Sequence, residues 1–200
     1  MHPLPASLAV VAVGAGLLWQ ATDGGRALTT ETARRLEALR AAPAVPNVQL
    51  QSMTGATQKL AGDGRVRLVE FIYTSCPTIC QVAGSEMARL AADIRAAGLA
   101  DKVKLISLSF DPRNDDPPAL MAYGKAHGAD GTLWSVARPA DSDSLPALLD
   151  AFGVVVIEDG WGGYVHNTAI HVVDGQGRLR AILDDDDVAG ALAAAQAVLP

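Results

Sequence analysis

The sequence predicts an α/β fold with a central mixed sheet flanked by helices, and three observations predict it. Two β-branched, apolar runs, "VRLVEFIY" (Val66 to Tyr73) and "KVKLISLSF" (Lys102 to Phe110), have the composition of strands covered on both faces. Each run leads into a helix-period segment, Cys76 to Ala97 and then the stretch "DPRNDDPPALMAYGKAHG"; strand, helix, strand, helix at this spacing implies right-handed parallel crossovers. Finally, "AIHVVDGQGRLRAIL" (Ala169 to Leu183) is two alternating runs about Asp174 to Gly177, a hairpin signature in which glycines supply the turn.

Element by element, the chain opens with an uncharged apolar stretch, Leu8 to Trp19, which is short for a bilayer span of roughly 20 residues. It suits a signal-type region or a tilted anchor, and the bulky Trp19 where a small residue is wanted favours an uncleaved anchor. Arg26, Arg34, Arg35 and Arg40 follow it, so the positive-inside rule opposes export of what comes after. Thr30 to Ala42 reads as a polar helix broken by Pro43 and Pro46. The expected organisation is therefore a signal anchor or signal peptide over 1–20, a helical spacer over 21–45 and one domain over 46–200.

Within that domain the first helix should bury Ala83, Met87, Leu90, Ile94 and Ala97, with Gly98 as its stop. Asp115 and Asp116 before Pro117 mark the start of the second helix, acid at the cap and proline in the first turn. Asp184 to Asp187 precede a last helix, Val188 to Val198, in the same way; four consecutive acids do not alternate as a calcium loop does. A βαβ half followed by a ββα half is the thioredoxin plan. At 200 residues and 50% hydrophobic content the chain fills one such core and is short for two. A formal charge of -6 with scattered basic residues excludes a broad electrostatic grip on nucleic acid.

The only two cysteines, Cys76 and Cys80 in "YTSCPTIC", fall at the first strand-to-helix junction. A helix N-terminus favours thiolate, and an i, i+4 spacing brings both sulfurs to one face once the helix has begun. A redox disulfide, a two-thiolate metal clamp and two inert thiols all fit, and the spacing alone does not choose. The third residue is sought in the turn entering the hairpin's first strand, the loop this fold sets opposite the cysteines. Thioredoxins carry a cis-proline there; here "GYVHNTAIH" has none, and His166 occupies the entry. Two thiolates and an imidazole suit copper, with zinc the rival by ligand type. His171 falls inside the strand and reads as a packing residue. His127 beside Gly128 reads as a helix C-terminal partner, and Trp161 among glycines as part of a mobile loop approaching the site before His166.

"VEFIYTSCPTIC", "ISLSFDPRNDDPPAL", "AFGV" and "YVHNTAIHVVDGQGRL", in this order and spacing, resemble the Sco/SenC family of membrane-anchored copper proteins, from about Pro46 to the C-terminal helix. The resemblance implies a thioredoxin-like fold and one copper ion, Cu(I) or Cu(II), bound through Cys76, Cys80 and His166. His166 is preferred over His171 because it keeps the family's distance to the glycine turn ending at Gly177. Two departures remove negative charge near the site: Val165 stands where many relatives have an aspartate before the histidine, and Thr78 where they have one between the cysteines.

The function so implied is a copper chaperone that helps metallate the binuclear copper centre of cytochrome c oxidase. Its partners would be a copper-accepting oxidase subunit and a copper donor protein. The alternatives are a thiol-disulfide oxidoreductase, with Cys76 attacking and Cys80 resolving, and a redox or copper sensor. The resemblance also places the domain on the extracytoplasmic side of the cytoplasmic membrane, against the arginine pattern.

Overall fold

The structure, a computed structural model, describes residues 4–76 and 79–200, with the side chains of 7–76 and 83–200. The chain divides into two compact units, Met1–Ala41 and Ala42–Pro200.

The first unit is helical. Helix α1 (Leu4–Ala21) contains no ionisable side chain, and Leu8, Val10, Val11, Val13, Leu17, Leu18 and Trp19 are all exposed. At 18 residues it is about 27 Å long, and among the described residues no helix is long and apolar enough to cross a membrane. A turn with positive φ at Asp23, Gly24 and Gly25 leads to α2 (Thr30–Ala41). Thr29 opens α2 by accepting the Thr32 N–H at 3.1 Å, and Glu31 pairs with Arg34 and Arg35 one turn on.

The second unit is built on a seven-stranded mixed sheet in the order β2-β1-β5-β4-β3-β8-β9. Its strands are β1 (Gln49–Ser52), β2 (Thr57–Lys59), β3 (Val66–Ile72), β4 (Val103–Ser109), β5 (Trp134–Pro139), β8 (Ile170–Val173) and β9 (Leu179–Leu183). Strands β3, β4 and β5 run parallel, and β8 and β1 flank them antiparallel. Helices α3 (Ile79–Ala96) and α4 (Pro117–His127) are the crossovers, with α5 (Leu145–Phe152) and α6 (Val188–Ala197) later in the chain. A separate hairpin, β6 (Val156–Glu158) and β7 (Tyr164–His166), stands outside the main sheet.

Every residue of β3 and β4 is buried, the charged Arg67, Glu70 and Lys104 included, as strands covered on both faces require. On one face Val66, Leu68, Val103, Leu105 and Ile170 pack against Met87, Leu90 and Ile94 of α3 and Val188, Ala191 and Ala195 of α6. Truncating Leu90 to alanine in such a core costs about 2–5 kcal/mol. Ala97, expected on the same face, is exposed, because α3 ends at Ala96 and Gly98 turns left-handed at φ 68°.

The other expected boundaries shift slightly. Asp116 alone caps α4, accepting the Ala119 N–H at 2.9 Å, and Asp187 caps α6 through Gly190 N at 2.9 Å. In the β8–β9 turn Asp174 accepts the N–H groups of Gln176 and Arg178, both at 3.0 Å. The chain from Pro43 also belongs to this unit. Val45 N donates to Gly177 O and Leu179 N to Pro43 O, both at 2.9 Å, so the unit begins before Pro46. The strands β1, β2, β5, β6 and β7 and helix α5 have no counterpart in the sequence reading.

Candidate metal centre

The cysteine-bearing turn lies between β3 and α3. Cys76 is 5% exposed, and its N–H reaches Tyr73 O at 3.3 Å, closing a turn at the end of β3. It stands ahead of the helix, which begins at Ile79 and not at Cys76 as the periodicity suggested. Pro77 follows it in sequence, and a residue before proline is steered out of helical backbone. Cys76 is therefore presented by the turn ahead of the helix, while Cys80 falls in the first turn of α3. Residues 77 and 78 and the side chain of Cys80 lie outside the described part of the structure.

Asp115 holds this turn in place. It is 1% exposed and accepts three hydrogen bonds: Thr74 N at 3.0 Å, Thr74 Oγ1 at 2.5 Å and Ser109 Oγ at 2.5 Å. Its partner in sequence, Asp116, takes the cap, so reading both acids as helix-start residues merges two roles. The available signal was that one cap needs one acid; its target, Thr74, is 41 residues away and could not be read off the chain.

His166, at the end of β7, lies in an aromatic cluster shared with the cysteine turn. Its ring is 4.8 Å from that of Phe110 and 6.3 Å from that of Tyr73, three residues before Cys76. Tyr164, on the same face of β7, packs edge-on against both rings at 5.2 and 5.5 Å. Asn167 fixes the strand end, its Oδ1 accepting Val155 N at 2.7 Å and its Nδ2 donating to Gly153 O at 3.2 Å.

The ring of His166 is held in one useful state. Nδ1 lies 3.1 Å from Asn167 O, and because a carbonyl can only accept, Nδ1 carries the proton. Nε2 then bears the free lone pair; it is buried and finds no hydrogen-bond partner among the described residues. Burial holds the imidazole below the ordinary histidine range, offset in part by the Asn167 bond and Asp185, so the neutral, electron-donating form prevails at neutral pH. A buried, unsatisfied acceptor costs free energy unless something binds it, and a neutral imidazole oriented through its other nitrogen is how histidines are prepared for metals.

The other sequence candidates separate cleanly. His171 is a packing residue as expected, 1% exposed, with Nδ1 and Nε2 each 3.1 Å from a backbone carbonyl, of Val69 and Phe152. His127 ends α4 in its last turn, as expected, but does not make the cap bond. Gly128 makes the cap at φ 85°, and the His127 ring stacks on Tyr123 at 4.5 Å over Gly84, where a Cβ would come within 2.5 Å of it. Trp161 does not approach the site; it is 94% exposed at the tip of the β6–β7 hairpin, in a turn that Asp159 pins through Trp161 N and Gly163 N. No cis peptide occurs among the described residues, consistent with the absence of proline at the His166 loop.

The fold and this site define a thioredoxin-like protein in which a cysteine turn and a histidine strand meet at one aromatic cluster. The chain belongs to the SCO1/SenC family, whose model matches residues 41–198. It is 27% identical over 135 residues to the SCO1 protein homolog of Bacillus subtilis (strain 168), covering 66% of this chain and 64% of that protein. The chain thus spans about three-fifths of the length of the curated relatives it matches. Among solved structures it resembles Bradyrhizobium japonicum ScoI with copper bound, with TM-score 0.63 and 21% identity over 78% of this chain and 100% of that one. It also resembles BsSco, described as a member of the Sco family of cytochrome c oxidase assembly proteins, with TM-score 0.65 and 22% identity over 76% and 94% of the two chains.

Proposed function

We propose that this protein carries one copper ion on Cys76, Cys80 and His166 and delivers it during assembly of cytochrome c oxidase, to the binuclear copper centre. The observation that carries the reading is His166 Nε2, buried, deprotonated and without a hydrogen-bond partner among the described residues, on a ring that shares the Tyr73 and Phe110 cluster with the cysteine turn. Family membership and the copper-bound ScoI of Bradyrhizobium japonicum support the cargo; the printed description of BsSco supports the oxidase. Two thiolates with an imidazole form a soft set that holds Cu(I) and, with the nitrogen, Cu(II).

In this reading each residue has a physical task. Cys76 from the turn and Cys80 from the first turn of α3 would supply the two sulfur donors. Asp115 holds Thr74, and with it the turn, so that Cys76 is presented from a fixed backbone. Asn167 O orients His166, and the Phe110 ring packs against its imidazole. A donor protein and an oxidase subunit would exchange copper with this set ligand by ligand. Helix α1, without an ionisable side chain and with its large apolar residues exposed, would serve as the membrane anchor, with the domain on the extracytoplasmic side.

Anaerobic copper titration of the purified full chain tests the proposal. One equivalent binds, Cys76→Ser and Cys80→Ser abolish it, and His166→Ala weakens it at least tenfold. Unchanged binding in all three variants refutes it. A thiol-disulfide role is the second reading, favoured by the placement of Cys76 just ahead of an 18-residue helix. It predicts that His166→Ala keeps full oxidase-assembly activity while the cysteine variants lose it. A reporter fused to the C-terminus tests the orientation, with activity expected only outside the cytoplasm.

A further inference from the structure

At the N-terminal ends of β3 and β4, away from Cys76, the sheet carries a second constellation of polar groups. Arg67 and Lys104 sit directly opposite each other in the parallel register, and both are buried, at 3% and 8% exposure. Like charges opposed across strands are destabilising, and buried charges persist only when compensated. Arg65 and Lys59 line the same cleft, of about 290 Å³, in which the only lining carboxylate is Asp63.

That carboxylate is already committed. Asp63 Oδ2 accepts Arg65 Nε at 2.9 Å and Nη2 at 2.7 Å, while its Oδ1 accepts Arg65 N and Arg67 Nη1. These guanidinium groups hold its carboxyl far below the usual range despite burial. One carboxylate against Lys59, Arg65, Arg67 and Lys104 leaves three positive charges uncompensated among the lining residues. Among the described residues Lys104 Nζ donates only to a neutral oxygen, Gln58 Oε1 at 2.6 Å, and the Gln58 amide is spent on Ser135 Oγ at 3.2 Å. Arg67 Nε is buried with no hydrogen-bond partner among the described residues. Burial, then Arg65 and Arg67, push Lys104 below the ordinary lysine range, which Asp63 and Asp130 offset only in part.

We propose that this cleft is an anion site that binds a phosphate group, with Arg65, Arg67 and Lys104 as its donors. A multivalent oxyanion supplies the charge the cleft lacks, and guanidinium groups match its geometry with paired N–H donors. The same chemistry is offered by free inorganic phosphate and by the headgroup of an acidic phospholipid. The site is independent of the copper reading, and its test uses no copper.

The experiment is thermal unfolding of the full chain in rising inorganic phosphate against chloride at equal ionic strength. A saturable rise in Tm specific to phosphate is expected, because a ligand that binds only the folded state stabilises it. Arg67→Gln or Lys104→Gln should weaken the apparent phosphate affinity about tenfold or more, as loss of a charged hydrogen bond does. Should either variant fail to fold, Arg65→Gln and Lys59→Gln on the rim serve in their place, each lowering the affinity severalfold. Co-sedimentation with phosphatidylcholine vesicles, with and without phosphatidate, separates the sources. Extra binding to phosphatidate that Arg67→Gln removes identifies the lipid; a phosphate response without it identifies the free ion. No response to phosphate beyond chloride, or a response that all these variants retain, overturns the proposal.

Discussion

Glu70, in the middle of β3, is a carboxyl sealed in the core at 4% exposure, and replacing it with glutamine should stabilise the protein in a pH-dependent way. Its Oε1 accepts a hydrogen bond from Ser107 Oγ, which in turn accepts the Trp134 Nε1–H at 2.8 Å, so it stands at the end of a buried chain of donors. Burial pushes the carboxyl from 4.5 up to about 7, against the Ser107 bond and with a small push from Asp185. Because the folded value lies above the unfolded one, the protonated form supports the fold fully below pH 4.5, and that support is lost as pH rises through about 7. At 1.36 kcal/mol per unit, the rise from 4.5 to about 7 corresponds to about 3 kcal/mol. Glutamine mimics the protonated state at every pH and keeps an acceptor for Ser107. Urea unfolding of wild type and Glu70→Gln at pH 5 and pH 8 should therefore show the variant gaining on wild type by about 2–3 kcal/mol at the higher pH. Parallel pH dependences in the two proteins would refute the reasoning.

Further perturbations act on the backbone that carries the site and on the close approach of Gly175 to Gly64. Asp115→Ala removes a buried acceptor that serves two donors of half-buried Thr74 and one of buried Ser109; it should cost about 3 kcal/mol in denaturant unfolding and speed copper loss, whereas Asp116→Ala should cost about 1 kcal/mol and leave copper untouched. Gly175→Ala would set a Cβ 2.3 Å from the carbonyl oxygen of Gly64, a backbone atom that cannot swing away; a loss of about 1–3 kcal/mol or more is expected by calorimetry, and an unchanged Tm would show that the turn yields freely.

How much of this was legible in the chain depends on the range of the interaction. The strands β3 and β4, the hairpin β8–β9 and the caps at Asp116 and Asp187 rest on local patterns and could be read directly. His166 could be singled out because an inferred fold said which distant loop to search, and His171 could be set aside by alternation alone. What sequence could not supply was long-range pairing. Nothing near Asp115 announces Thr74, nothing near Glu70 announces that Trp134 and Ser107 complete its environment, and nothing near Arg67 announces Lys104 across the sheet. The helix start was misjudged for a local reason: apolar periodicity runs back to Cys76, but Cys76 precedes a proline in the sequence, and a residue before proline is steered out of helical backbone, which periodicity does not weigh.

The central claim is that one copper ion is held by two sulfurs and by Nε2 of His166. X-ray absorption at the copper edge of the full chain loaded with one equivalent tests it most directly. The account predicts two sulfur scatterers and one imidazole nitrogen, with the nitrogen contribution lost in His166→Ala and the sulfur shell retained. A copper shell without sulfur, or one that His166→Ala leaves unaltered, would contradict it.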